Sequence, residues 1–154
     1  MSRSILVLGR ANKTRSIMAE AYINHVARGR WRAHSAGLVP ADEVDPSALR
    51  VLEEAGIATP GQPKPKSSDV FTAPTAPPLD VVVSVCEHAA ADEQLLAWPG
   101  SPRVLHWPLP DPTEAAVSAA DRDDVFRAVL ELIRERADLF LEDERSRRTL
   151  KVSG

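Results

Sequence analysis

Arg10, Lys13 and Arg15 are crowded into the stretch Gly9-Arg-Ala-Asn-Lys-Thr-Arg-Ser16, with the hydroxyls of Thr14 and Ser16 beside them. Guanidinium, ammonium and hydroxyl donors at such spacing suit a tetrahedral oxyanion. The chemistry sharpens where such a stretch joins a strand to a helix. Free backbone N–H groups and the helix dipole then favour negative charge at the junction. A solvated basic turn would use the same residues. The Gly-Lys-Ser/Thr ending of a Walker loop is absent, so nucleotide binding is not implied. Elsewhere the reactive types are thin. Cys86 is the one cysteine, which excludes an internal disulfide and a cysteine-rich metal site. His25, His34, His88 and His106 show no metal-ligand spacing, and no metal or cofactor is expected.

The flanking patterns supply the elements that must position the loop. Ser4-Ile-Leu-Val-Leu8 is an apolar run of the kind found in strands buried on both faces. Beyond the loop, Ile17, Met18, Ala21, Tyr22 and Val26 recur at helical spacing, which predicts an amphipathic helix over residues 15–28. Residues 31–36 return as a second strand, closed by Gly37. Asp45-Pro46 starts a helix with the apolar face Leu49, Leu52 and Ala55, and Gly56 ends it. Repeated prolines over residues 58–78 forbid a central strand and a long helix, so a surface loop is expected there, with one helical turn near residues 67–71. Asp80-Val-Val-Val-Ser-Val85 is the clearest strand, rich in β-branched residues. A short helix over 89–96 and a strand over 103–106 follow. From Asp121, the pattern Phe126, Val129, Leu130, Ile133, Ala137, Phe140 and Leu141 predicts a long helix, and residues 145–154 read as a basic, flexible tail after a domain spanning 1–144.

Alternating strands and helices argue for one α/β domain with a parallel sheet of about four strands, flavodoxin-like in order. In such sheets ligands bind beyond the carboxyl ends of the strands. The segments after Leu8, Val85 and His106 should therefore share one rim. The 154 residues make one domain, and a hydrophobic fraction of 44% with 27% charged residues excludes a disordered chain. A net charge of −3 gives no general case for nucleic-acid binding, and no apolar run is long enough to span a membrane. A cytoplasmic location is expected.

The run Ile5-Leu-Val-Leu-Gly-Arg-Ala-Asn-Lys-Thr-Arg-Ser-Ile-Met-Ala-Glu-Ala21 resembles the opening of the low-molecular-weight protein tyrosine phosphatases. It is even more similar to the thioredoxin-coupled arsenate reductases built on that fold. The resemblance continues through His34-Ser-Ala-Gly37, Asp45-Pro46, Val81 to Cys86, Leu105-His-Trp107 and Asp111-Pro112 into the last helix. It implies a three-layer fold and an oxyanion loop made of Gly9, Arg10, Ala11, Asn12, Lys13, Thr14, Arg15 and Ser16. Arg15 would clamp the oxyanion, Asn12 would brace the loop, Asp111 would match a general acid and Cys86 a relay thiol. The resemblance also exposes departures. The family's loop opens on a nucleophilic cysteine, and this chain has Gly9, which carries no side chain. The family's loop glycine is Ala11 here, which would strain the loop if that site needs positive φ. No second relay cysteine follows Cys86.

The expectation is therefore a non-catalytic relative, a pseudoenzyme, that binds phosphate, arsenate, sulfate or a phosphorylated partner. Losing the thiolate removes a negative charge beneath the guest, and Arg10 and Lys13 add positive charge. Two alternatives stand beside it. One is a phosphatase or arsenate reductase working by unconventional chemistry, with Cys86 or Asp111 taking part. The other is a protein-interaction module with a vestigial anion loop. Trp98, Trp107 and Tyr22 are candidate pocket walls; helical spacing favours a core role for Tyr22 and leaves Trp107 open.

Overall fold

The computed structural model describes residues 2–93, 96–114 and 118–153. The elements run β1 (Arg3–Gly9), α1 (Arg15–Ala27), β2 (Trp31–Gly37), α2 (Pro46–Glu54), α3 (Asp69–Thr72), β3 (Val81–Ser84), α4 (Glu87–Glu93), β4 (Arg103–His106) and α5 (Ala119–Ser153). The strands form one four-stranded sheet in the order β2-β1-β3-β4, with every pairing parallel. Ile5 of β1 sits opposite Ala33 of β2 and Val81 of β3, and Val81 sits opposite Arg103 of β4. The chain leaves β1 toward β2 on one side and returns to β3 on the other. That reversal opens a crevice at the carboxyl ends of β1 and β3.

Side chains alternate across the sheet, so β1 serves two cores. Ile5 and Val7 face the larger one, with α1, α2 and α5; Leu6 and Leu8 face the smaller one, with Phe71, Leu79 and Ala89. Ile5, Leu6, Val7 and Leu8 are fully buried. Each such side chain contributes roughly 1.5–3 kcal/mol by leaving water, which makes β1 the spine on which the adjoining loop hangs.

Helix boundaries follow local chemistry. Asp45 caps α2, its carboxylate accepting from the Ser47 N–H at 2.9 Å, with Pro46 in the first turn. Past the end of α2, Gly56 takes φ +73°, a left-handed turn that glycine makes without strain. The helical turn expected near residues 67–71 is α3, one to two residues later. The short helix expected over 89–96 instead starts at Glu87 and runs to Glu93; residues 94 and 95 lie outside the described residues. The last helix begins at Ala119 and continues to Ser153, so the stretch 145–153, expected as a flexible tail, is helical. Its polarity alone suggested fraying, but a helix already anchored by Phe126, Ile133 and Phe140 propagates at little cost per residue. Residue 154 lies outside the described residues. Among the described residues, no helix is long and apolar enough to cross a membrane.

The aromatic candidates go to the cores. Tyr22 is buried under α5, its hydroxyl donating to Asp138 at 2.6 Å. Trp107 is buried edge-on against Phe140 at 6.0 Å between ring centroids. Trp98 packs on the smaller core and donates to Glu93 at 3.1 Å. None of them borders the crevice described next.

Candidate functional site

Between Gly9 and Arg15 the chain wraps into a loop whose carbonyls turn away from the crevice. Gly9 O accepts from Leu38 N–H at 3.2 Å, Arg10 O from Val39 at 2.8 Å, Ala11 O from Ala41 at 2.9 Å and Lys13 O from Asp45 at 3.0 Å. The segment after β2 therefore grips the loop from outside through main chain alone. Thr14 O receives the Met18 N–H at 3.0 Å, the first bond of α1. Among the described residues, no main-chain N–H from Arg10 to Ser16 has a protein acceptor. Main-chain donors that line a concavity at a helix N-terminus create a locally positive field.

Two features hold this shape. Asn12 takes φ +53°, donates from Nδ2 to Ser16 Oγ at 2.9 Å and accepts at Oδ1 from the Lys66 N–H at 2.8 Å. It ties the loop both to α1 and to the end of the Pro-rich segment. Asparagine tolerates the left-handed region better than other side chains. Ala11 is not in that region, so the strain expected there does not arise: the positive φ falls one residue later. The second feature is Gly37. A Cβ at that position would lie 2.8 Å from Arg10 O and 3.0 Å from Ala11 C, so only glycine lets β2 end against the loop.

The loop floors a cleft of about 630 Å³ lined by residues 9–16, 85–88 and 108–111 with Thr113 and Glu114. The three segments expected on one rim do converge. Arg15 spans the cleft: Nη1 donates to Leu109 O at 2.9 Å, and Nη2 lies 3.8 Å from the Asp111 carboxylate. Arg10 and Lys13 have no ion-pair partner among the described residues. Glu87, Asp111 and Glu114 bring negative charge to the outer walls.

Asp111 is placed as a brace. Its Oδ1 accepts from Thr113 N at 2.9 Å and Thr113 Oγ1 at 2.7 Å. Burial pushes its carboxyl up. The Thr113 donors, with Arg15 and Lys13 nearby, outweigh burial and hold it below its ordinary value. These contacts favour its carboxylate form. Cys86 lines the same cleft, nearly buried, its Sγ accepting from the Ala89 N–H at 3.4 Å. His106 does not border the cleft; its Nδ1 shares Ser84 Oγ at 2.8 Å. Gly9 is the innermost strand residue of the floor, and its φ lies outside the left-handed region.

The sequence reading missed Glu87, His88 and Glu114 on the walls, the Gly37 contact and the Lys66 N–H. A glycine at a strand end was a visible signal. A main-chain donor fifty-four positions away leaves none.

Comparison with known proteins agrees with this geometry. The arsenate reductase of Halalkalibacterium halodurans is 32% identical over 138 residues, which is 90% of this chain and 94% of that protein. An arsenate reductase solved in a phosphate-binding state superposes with a TM-score of 0.66 at 26% identity, covering 92% of this chain and 98% of that one. The tyrosine phosphatase Wzb from Escherichia coli K30, solved with sulphate, shares the fold, with a TM-score of 0.72 at 20% identity over 93% of this chain and 99% of its own. The model of the low molecular weight phosphotyrosine protein phosphatases matches residues 4–151, and that match makes this chain a member of that family.

Proposed function

We propose that this chain binds a tetrahedral oxyanion, or a phosphoryl group on a partner, at Gly9, Arg10, Ala11, Asn12, Lys13, Thr14, Arg15 and Ser16, and does not turn it over by a covalent route. One observation carries the reading: among the described residues the loop's main-chain N–H groups have no protein acceptor and Arg10 and Lys13 no ion-pair partner, while Gly9 has no nucleophile. Relatives solved with phosphate and with sulphate support the choice of ligand class. A cytoplasmic location fits a chain whose single cysteine is unpaired.

Calorimetric titration with phosphate and arsenate, at low salt and neutral pH, tests the binding. Saturable heat that disappears in Arg15→Ala is the expected result; no heat at millimolar ligand would sink it and favour the interaction-module reading. Assays for aryl phosphate hydrolysis and for arsenate reduction with a thioredoxin system test the second half. Because Cys86 shares the cleft, activity that vanishes in Cys86→Ser would establish an unconventional enzyme instead.

A further inference from the structure

The two edges of the sheet are finished differently. At β2, Asn24 stands in for a neighbouring strand: its Nδ2 donates to Ala33 O at 3.1 Å, and its Oδ1 accepts the Ala33 N–H at 2.8 Å. Further along, the Gly37 N–H donates to Lys66 O at 2.8 Å, and Gly37 O accepts from Ser68 N–H at 2.9 Å. At β4 the Arg103 and Trp107 N–H groups donate inward, to Asp80 O and Ser84 O, so Val104 and His106, which alternate with them, turn their main-chain groups outward. Among the described residues those outward groups have no protein partner. An open edge is a pairing template unless the fold covers it. Helix α5 repeats the contrast. It packs on α1 and α2, but its flank beside β4 carries Leu139 at 66% exposed and Leu132 at 39%. Leu132, Arg136, Leu139, Asp143 and Arg147 follow at spacings of three and four, so they form one stripe along the helix. The stripe borders a groove of about 390 Å³ whose inner wall is Leu105, Trp107 and Phe140.

We infer that this α5 flank and the β4 edge form a two-fold contact with a second copy of the chain. The charges on the stripe name the partner. Arg136 and Asp143 straddle Leu139 with opposite signs, and neither has an ion-pair partner among the described residues. A partner of one sign would satisfy one of them and repel the other. A second α5, antiparallel across a two-fold axis at Leu139, satisfies both: Arg136 of each copy faces Asp143 of the other, and the two Leu139 side chains meet on the axis. Leu132 then lies opposite Arg147, whose aliphatic stem can cover it. The same axis sets the two β4 edges antiparallel, the sense in which open edges pair with perpendicular hydrogen bonds. The groove shares no residue with the oxyanion cleft, so this contact stands apart from the binding proposed above.

Sedimentation equilibrium of the full chain, from about one micromolar to about one millimolar, tests it. The weight-average mass is expected to rise with concentration from the monomer value toward twice it. Leu139→Glu acts twice across the axis and should weaken association by about a hundredfold. Arg136→Asp sets like charges opposite each other at both ends of the contact and should weaken it by about tenfold. Adding Asp143→Arg to that variant exchanges the signs and should restore association to within about threefold of wild type. All three positions are exposed in the monomer, and circular dichroism checks that each variant is folded. A monomer at every concentration overturns the inference and leaves this face to an unrelated partner. A dimer that survives Leu139→Glu, or a charge exchange that fails to restore association in a folded chain, overturns it as well.

Discussion

At the amino end of the sheet, Arg3 and Arg103 close on one carboxylate, Glu144, which is buried against them. Arg3 Nη1 lies 2.7 Å from Glu144, and its guanidinium stacks over Trp31 at 4.5 Å. At the carboxyl end, Arg10 and Lys13 meet no carboxylate within pairing distance among the described residues, and the main-chain donors beside them are equally unmatched there. The same residue type thus plays two parts in one domain. Where cations are neutralised by the fold, they pin α5 to the first residues of β1 and β4. Where they are left over, they stand beside the cleft with main-chain donors that have no protein acceptor among the described residues. Position along the strands separates the two, as it does in open parallel sheets generally.

That contrast can be broken from either end. The largest effect is expected from Gly9→Cys. At Gly9 a Cβ meets ordinary contacts except 3.2 Å to the Ser16 hydroxyl, which must give by a few tenths of an ångström, and φ there is not left-handed. Aryl phosphate hydrolysis should rise from background by about a thousandfold or more, read by release of the chromogenic phenol. No gain in a folded variant would mean that more than the nucleophile has been lost. Next, Glu144→Ala should destabilise the fold by about 2–3 kcal/mol, below the usual range for a fully buried pair because both arginines are about a third exposed. Urea unfolding measures it, and oxyanion affinity should not move. Arg15→Ala is its mirror image. Phosphate affinity should fall by about thirtyfold, with stability changed by under about 1 kcal/mol. A Glu144 variant that loses binding, or an Arg15 variant that loses mainly stability, would dissolve the distinction between the two ends.

The smallest effect concerns a residue that belongs to neither end. Tyr22 is the single tyrosine, so phenolate absorbance reports it alone. Burial and the hydrogen bond it donates to Asp138 push its hydroxyl up from 10.0 to about 12. A raised value means that the stabilisation is fully present below the ordinary tyrosine range and is lost as pH rises through about 12. Asp138→Asn should move the midpoint down only in part, because burial is the larger cause. A native midpoint near the ordinary value would show that the α1–α5 contact is open in solution.

Most of the architecture was legible in the residues. The continuous apolar run from Ile5 to Leu8, the β-branched run from Val81, and the Asp45-Pro46 and Gly56 punctuation each correspond to an observed element boundary or buried face. Hydrophobic period and capping act over a few residues, so a linear reading can see them. The rest depended on through-space partners. Trp107 looked equally fit for pocket or core, and only α5, with Phe140, decides for the core. The polarity of residues 145–153 said nothing of the helix already anchored before them. The loop residues were legible as a group because cations and hydroxyls cluster in sequence. Their clamp was not, because Leu38, Val39, Ala41 and Lys66 contribute main-chain N–H groups that every non-proline residue carries.

The outward carbonyls of the loop have a consequence for solvent exchange. Among the described residues, the amide protons from Arg10 to Ser16 lack the protein acceptors that normally slow exchange. They should trade with solvent deuterium far faster than those of Ile5 to Leu8 a few residues earlier. Each oxygen that docks would silence a particular amide. Residue-by-residue exchange therefore reads which donors a guest engages, and the loop carries its own occupancy gauge in ordinary backbone.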